Sequence, residues 1–300
     1  MASIVRTRVT GSAFCELGLL PAGCALTPRL DAHLRLYRNF MLVPAAMNAH
    51  PAAMLLDTGA ESSTVTPDIA AQLALQPSDA RPRVLRGIAG DVTSRAVRLQ
   101  QLDLGGQMLA RDVPLDVTTI PPFPGVSPPV AGLLGADLLT RYEVELDAPN
   151  ERLTLYTARN CAGYAPWPWP EAVVVPFRKR GAGLPIITAR INGRAVTALV
   201  DTGARTTLIR RETAISLGVT AEEIDGGRTS NGAGIGNTGV QFHQHRFAEF
   251  GVPGDVQRDF VANVGTLNLP GVEMLLGADF LATRHVWISY ATGRIFLRRS

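Results

Sequence analysis

The chain has 300 residues, 46% of them apolar and 18% charged, and a net charge of +3. That composition is too apolar for a disordered polymer, and the length suits two lobes around a shared cleft. The arginines are scattered, with no basic stripe interleaved with aromatics, which argues against a nucleic-acid partner. No run of about eighteen apolar residues offers an integral membrane span.

Residues 1–33 read as a leader. Arg6 and Arg8 precede an apolar stretch, residues 13–20, interrupted by Glu16, and then Pro21-Ala22-Gly23-Cys24-Ala25. The order resembles a degenerate export signal with Cys24 in the place of a lipidated cysteine, which points to the periplasm or envelope. A leader without export function, and residence in the cytoplasm, is the other reading. Cys15, Cys24 and Cys161 have no zinc spacing, and three thiols allow at most one bridge.

Residues 34–157 form the first of two similar lobes. A predicted strand over 36–47, a turn at Asn48-Ala49-His50 and a return strand over 51–56 lead into Asp57-Thr58-Gly59-Ala60. Residues 173–300 repeat the pattern: a strand over 186–191, the turn Asn192-Gly193, a return over 195–200, then Asp201-Thr202-Gly203-Ala204, an offset of 201 − 57 = 144 residues. A short helix follows in each half, over 67–75 and over 211–217. Next come glycine-bearing hairpins, one carrying Gly87, Ile88, Ala89 and Gly90, the other Gly234, Ile235 and Gly236. Strands over 95–104 and 240–250 follow, then Pro-rich loops including Pro121-Pro122-Phe123-Pro124. A third signature, Leu133-Leu134-Gly135-Ala136-Asp137, returns as Leu275-Leu276-Gly277-Ala278-Asp279. In this reading Asp137 and Asp279 are structural and cap a helix. Closing strand pairs lie over 143–147 with 152–156 and over 285–289 with 294–297. Residues 158–172, rich in Pro and Trp, link the halves. Duplicated short β elements predict an all-β chain of two lobes, and the glycine run at 232–236 lacks the register and following helix of a dinucleotide loop.

The ordered set of Asp-Thr-Gly-Ala after apolar residues, a glycine-rich hairpin and Leu-Leu-Gly-Ala-Asp, present twice, resembles the retropepsin-like aspartic peptidases. The resemblance covers roughly residues 34–157 and 173–298. It implies two pseudo-twofold-related β-barrel lobes with short helices and a cleft between them. Family members with one lobe pair as homodimers; here both lobes lie in one chain, which implies a catalytic monomer. The resemblance further implies that Asp57 and Asp201 are the catalytic pair. Thr58 and Thr202 would bond across the axis, and Gly59, Ala60, Gly203 and Ala204 would support the carboxylates. Neither hairpin has the Tyr of pepsin-like flaps.

Two close carboxylates cannot both ionise cheaply, so the pair holds one proton and offers a general base beside a general acid. Water activated by that pair would hydrolyse a peptide bond in an extended polypeptide, with no cofactor, metal or covalent intermediate. Ala60 and Ala204 lack a hydroxyl that would lower the pair's pKa, so activity should extend to weakly acidic or near-neutral pH. The flap residues Gly87 to Gly90 and Gly234 to Gly236 would lie over substrate, with Ile88 and Ile235 either facing its side chains or simply packing on the lobe. His243 and His245 share a strand face but have no evident third metal ligand. The competing reading is a catalytically silent peptide-binding or adaptor module of the same fold.

Overall fold

The computed structural model describes residues 23–88, 90–161, 172–235 and 239–299. Most of the leader, the linker tryptophans Trp167 and Trp169, and the flap residues Ala89 and Gly236 lie outside the described residues.

Each half is built around a strand that ends at its Asp-Thr-Gly turn. In the first half, His50–Leu56 lies between Phe40–Met47, antiparallel, and Val130–Leu134, parallel; the sheet continues through Ala96–Leu104 and Gln107–Val117 to Thr64–Val65. In the second, Arg194–Val200 lies between Leu184–Ile191 and Met274–Leu276. That sheet continues through Leu208–Arg210, Asp255–Gly265 and Gly239–Val252 to Thr229–Ala233.

The pleat decides what these strands bury. Successive side chains point to opposite faces, so Met54 and Leu56 enter the main core while Ala53 and Leu55 join a separate apolar cluster on the cleft side. Ala198 and Val200 enter the core, and Leu199 joins the matching cluster of the second half. A strand covered on both faces reads as a continuous apolar run, which is how both stretches look in the sequence.

The single strand predicted over 36–47 is two. Arg38 and Asn39 adopt left-handed backbone, φ 50° and 71°, and turn Arg35–Tyr37 back onto Phe40–Met47. The helices Pro67–Gln72 and Arg211–Ser216 fall where predicted. A further helix, Ala221–Asp225, opens with a capping box: Glu223 N–H donates to Thr220 Oγ1 at 3.2 Å and Thr220 N–H to Glu223 Oε2 at 2.8 Å.

A six-stranded sheet joins the halves, in the order Ala25–His33, Arg152–Arg159, Glu143–Asp147, Arg284–Ser289, Arg294–Arg299, Val173–Pro176. Its middle is the antiparallel pair in which Val144 faces Ile288 and Leu146 faces Val286. The buried Glu143 of one half accepts bonds from Trp287 Nε1 and Ser289 Oγ of the other, each at 3.0 Å. Ala25–His33, inside the stretch read as leader, is thus an edge strand of this sheet, and a Cys24–Cys161 disulfide ties its start to the end of Arg152–Arg159. That bond corrects the reading of Cys24 as a lipidated residue, because its sulfur is already bonded.

Candidate active site

The two Asp-Thr-Gly turns meet where the halves join. Asp57 N–H donates to Leu134 O and Asp201 N–H to Leu276 O, both at 3.0 Å, so the parallel neighbour carrying the Leu-Leu-Gly signature fixes the start of each turn. The threonines then lock one turn to the other. Thr58 Oγ1 donates to Val200 O at 2.7 Å and accepts from Thr202 N–H at 3.1 Å. Thr202 Oγ1 donates to Leu56 O at 2.8 Å and accepts from Thr58 N–H at 3.0 Å. All four groups are buried, so each bond is made in surroundings where an unpaired donor is costly.

Behind each turn a second chain of bonds ties the third signature to the first. Gly135 N–H donates to Ser63 Oγ, which donates to Asp137 Oδ1; Gly277 N–H donates to Thr207 Oγ1, which donates to Asp279 Oδ1. Asp137 and Asp279 stand in the first turns of helices Ala136–Leu139 and Ala278–Leu281, whose N-cap residues are Gly135 and Gly277, and Asp279 Oδ1 also accepts from Phe280 N–H at 2.9 Å. Their carboxylates also reach across the loop, to Ser63 and Thr207. Both glycines are needed there, since a β-carbon at Gly135 would stand 2.7 Å from the Ser62 carbonyl carbon and one at Gly277 2.6 Å from that of Thr206.

Asp57 and Asp201 are each 9% exposed and hydrogen-bond to one another. Asp201 Oδ1 accepts from Gly203 N–H at 2.9 Å and Ala204 N–H at 3.1 Å. Asp57 Oδ1 accepts from Gly59 N–H at 2.9 Å, with a weaker pull from Ala60. Burial, and after it the Asp201 charge, push the Asp57 carboxyl well above the usual carboxylate range. Burial also pushes Asp201 up, to about 6, against the pull of its two N–H donors and of Asp57. Both carboxyls are therefore held above the ordinary carboxylate range, and they titrate as one coupled pair.

The carboxylates lie in a cavity of about 410 Å³ roofed by two hairpins. Arg83–Gly87 with Gly90–Ser94 forms one, and Thr229–Ala233 with the start of Gly239–Val252 the other. Their tips cross. Ile88 packs on the apolar cluster of the second half and Ile235 on that of the first, and Ile88 O accepts from Asn268 N–H at 3.1 Å. Gly87 and Gly234 sit against the opposing Ile235 and Ile88. Ala60, Gly59, Gly203 and Ala204 also line the cavity.

Other lining residues were not signalled by the motifs. Tyr37, Phe40 and Phe123 make an aromatic wall, with Phe123 5.6 Å from Tyr37 and 5.3 Å from Phe40 between ring centroids. Arg38, Arg86 and Arg205 also line the cavity. Only Arg205 had a local cue, standing next after Asp-Thr-Gly-Ala. His245 packs edge-on against Phe247, and among the described residues no cluster of His, Cys, Asp and Glu is arranged to hold a metal.

An all-β chain whose two lobes each present one buried carboxylate to a common cleft has the architecture of the aspartyl proteases. Residues 43–138 match a family model described as aspartyl protease, and residues 187–283 one described as gag-polyprotein putative aspartyl protease. The chain belongs to the retropepsin-like aspartyl proteases and carries two of their domains in tandem. Among solved structures, a retropepsin-like aspartic protease from Rickettsia conorii matches at 21% identity and a TM-score of 0.34, over 42% of this chain and 89% of that one. No curated protein matches the chain.

Proposed function

We propose that the chain is an aspartic endopeptidase that hydrolyses extended polypeptides through water held between Asp57 and Asp201. The observation that carries this is the buried, mutually hydrogen-bonded carboxylate pair at the floor of a roofed cleft. Asp201, ionised, takes a proton from the water as its oxygen attacks the scissile carbonyl carbon. Asp57, protonated, donates to the developing oxyanion. The proton gained by Asp201 then passes to the leaving nitrogen as the C–N bond breaks, and the pair returns to one proton. Substrate lies as an added strand under the hairpins, its backbone paired with theirs and its side chains against Ile88, Ile235 and the two apolar walls. Both carboxylates come from one chain, so the monomer is the active unit.

The test is hydrolysis of a denatured protein and a peptide library by the wild type, Asp57→Asn and Asp201→Asn, from about pH 3 to about pH 8. Cleavage by the wild type alone, at a rate per molecule independent of dilution, supports the proposal. Peptide binding without cleavage at any pH would replace it with a silent binding module.

A further inference from the structure

We propose that the cleft selects substrates with an acidic side chain flanking an apolar scissile pair, and that Arg205, assisted by Arg38, is the specificity-determining contact. This rests on the peptide-binding reading of the cleft above. Among the described residues lining the cavity, the only acids are Asp57 and Asp201, whereas three arginines line it. Two unit charges of one sign are thus left over once the shared proton is counted, and a cleft of one sign draws in the other.

The three arginines differ in how far they are already paired. Arg86 reaches Asp91 within its own hairpin at 4.0 Å. Arg38 stacks over the Tyr37 ring, 5.4 Å from its centroid, and forms no ion pair with a carboxylate among the described residues. Arg205 is exposed at the cleft rim and contacts no carboxylate among the described residues.

The duplication shows where Arg205 stands. By the 144-residue offset its counterpart is Glu61, and the Arg38-Asn39 turn between Arg35–Tyr37 and Phe40–Met47 corresponds to the turn over 181–183 between Arg178–Arg180 and Leu184–Ile191. Glu61 packs directly against Gly181, a contact between the turn after one Asp and a loop of the other lobe. Arg205 lines the cavity together with Tyr37 and Arg38. Arg205 thus offers its guanidinium to the cavity, as Arg38 does, whereas Glu61 lies against Gly181 and is not among the residues that line it. A carboxylate arriving there meets a bidentate donor, which is the geometry arginine provides and lysine does not.

The experiment uses fluorogenic peptides sharing one apolar scissile pair, with Glu, Gln or Lys placed in turn at each flanking position. At one position the wild type should prefer Glu over Lys by about five- to tenfold in kcat/KM, a preference that fades as salt rises. Arg205→Glu should invert that preference at the same position and no other. Equal cleavage of the Glu, Gln and Lys peptides by the wild type would overturn the proposal. So would an Arg205→Glu variant that slows all peptides alike. Anisotropy titration of the same peptides against Asp57→Asn separates the two readings. Glu-selective, Arg205-dependent binding without any wild-type hydrolysis would sink the peptidase and leave the specificity standing; hydrolysis without selectivity would do the reverse.

Discussion

Gly203 lies so close to the Asp57 carboxylate that a β-carbon on it would stand 2.5 Å from both Oδ1 and Oδ2. Gly59 holds the same position against Asp201, at 2.5 Å and 2.7 Å. Each turn thus closes the space around the carboxylate of the other, and the two acids are pressed together by backbone rather than by side chains. Gly203→Ala, and equally Gly59→Ala, should push the carboxylates apart and lower kcat by about 100-fold or more, given how steeply rate depends on the placement of reacting groups. Steady-state kinetics beside circular dichroism of the folded variant would check this.

The proton shared by the pair gives a signed pH dependence for activity. With Asp201 raised to about 6 and Asp57 also raised well above the usual carboxylate range, the singly protonated form is reached as pH climbs through about 6. The rate should rise on that limb and be greatest toward neutrality. A kcat/KM profile peaking below about pH 4 would contradict this assignment.

Stability should move the other way. Both carboxyl groups have pKa values raised above the unfolded value of 3.8, so the folded chain binds more protons than the unfolded chain from about pH 4 upward. Wild-type stability therefore falls as pH rises through that range. Asp201→Asn removes the group responsible for one part of this loss. Its stability advantage should be near zero at about pH 4 and grow to on the order of 2 kcal/mol at about pH 7, read from denaturant melts at each pH.

The crossed threonines should be coupled. Thr58→Val removes a donor to Val200 O and an acceptor for Thr202 N–H, and Thr202→Val does the mirror of this. Each should cost about 1–3 kcal/mol, with the serine variants close to wild type. A double-mutant cycle should give an interaction energy clearly different from zero, because the two side chains share one network.

The disulfide is open to a redox test. Cys24 and Cys161 are 137 residues apart in sequence, and closing so long a loop restricts the unfolded chain by up to about 5 kcal/mol. Reductant should lower the Tm of the wild type but not of Cys24→Ser, and non-reducing peptide mapping should recover residues 24 and 161 in one fragment.

What the sequence disclosed was what is local and repeated. Asp57, Asp201 and the Leu-Leu-Gly-Ala-Asp signatures announce themselves because a buried strand, a tight turn and a close backbone approach each restrict residue type within a few positions. The capping box at Thr220 and Glu223 was equally local, yet its helix went unread because only one apolar side chain, Ile224, is buried from it. Long-range partners left no such trace. Nothing near Cys24 points to Cys161, and nothing near residues 25–33 says that this strand completes a sheet with residues 152–159. The structural part of the Asp137 reading was local, but its partner was not: the carboxylate bonds the distant Ser63, 74 residues away in sequence. Tip crossing by Ile88 and Ile235 depends on how two hairpins meet, which no spacing within either one encodes.

The six-stranded sheet takes three strands from each half of one continuous chain. A peptide has a direction, running from amino to carboxyl end, and a site made from two identical copies must present the same groups to both ends of it. Covalent joining lifts that constraint, since a change in one copy is no longer imposed on the other. Glu61 and Arg205 are matched in position and opposite in charge, and of the two it is Arg205 that lines the cavity, which gives this cleft a head and a tail.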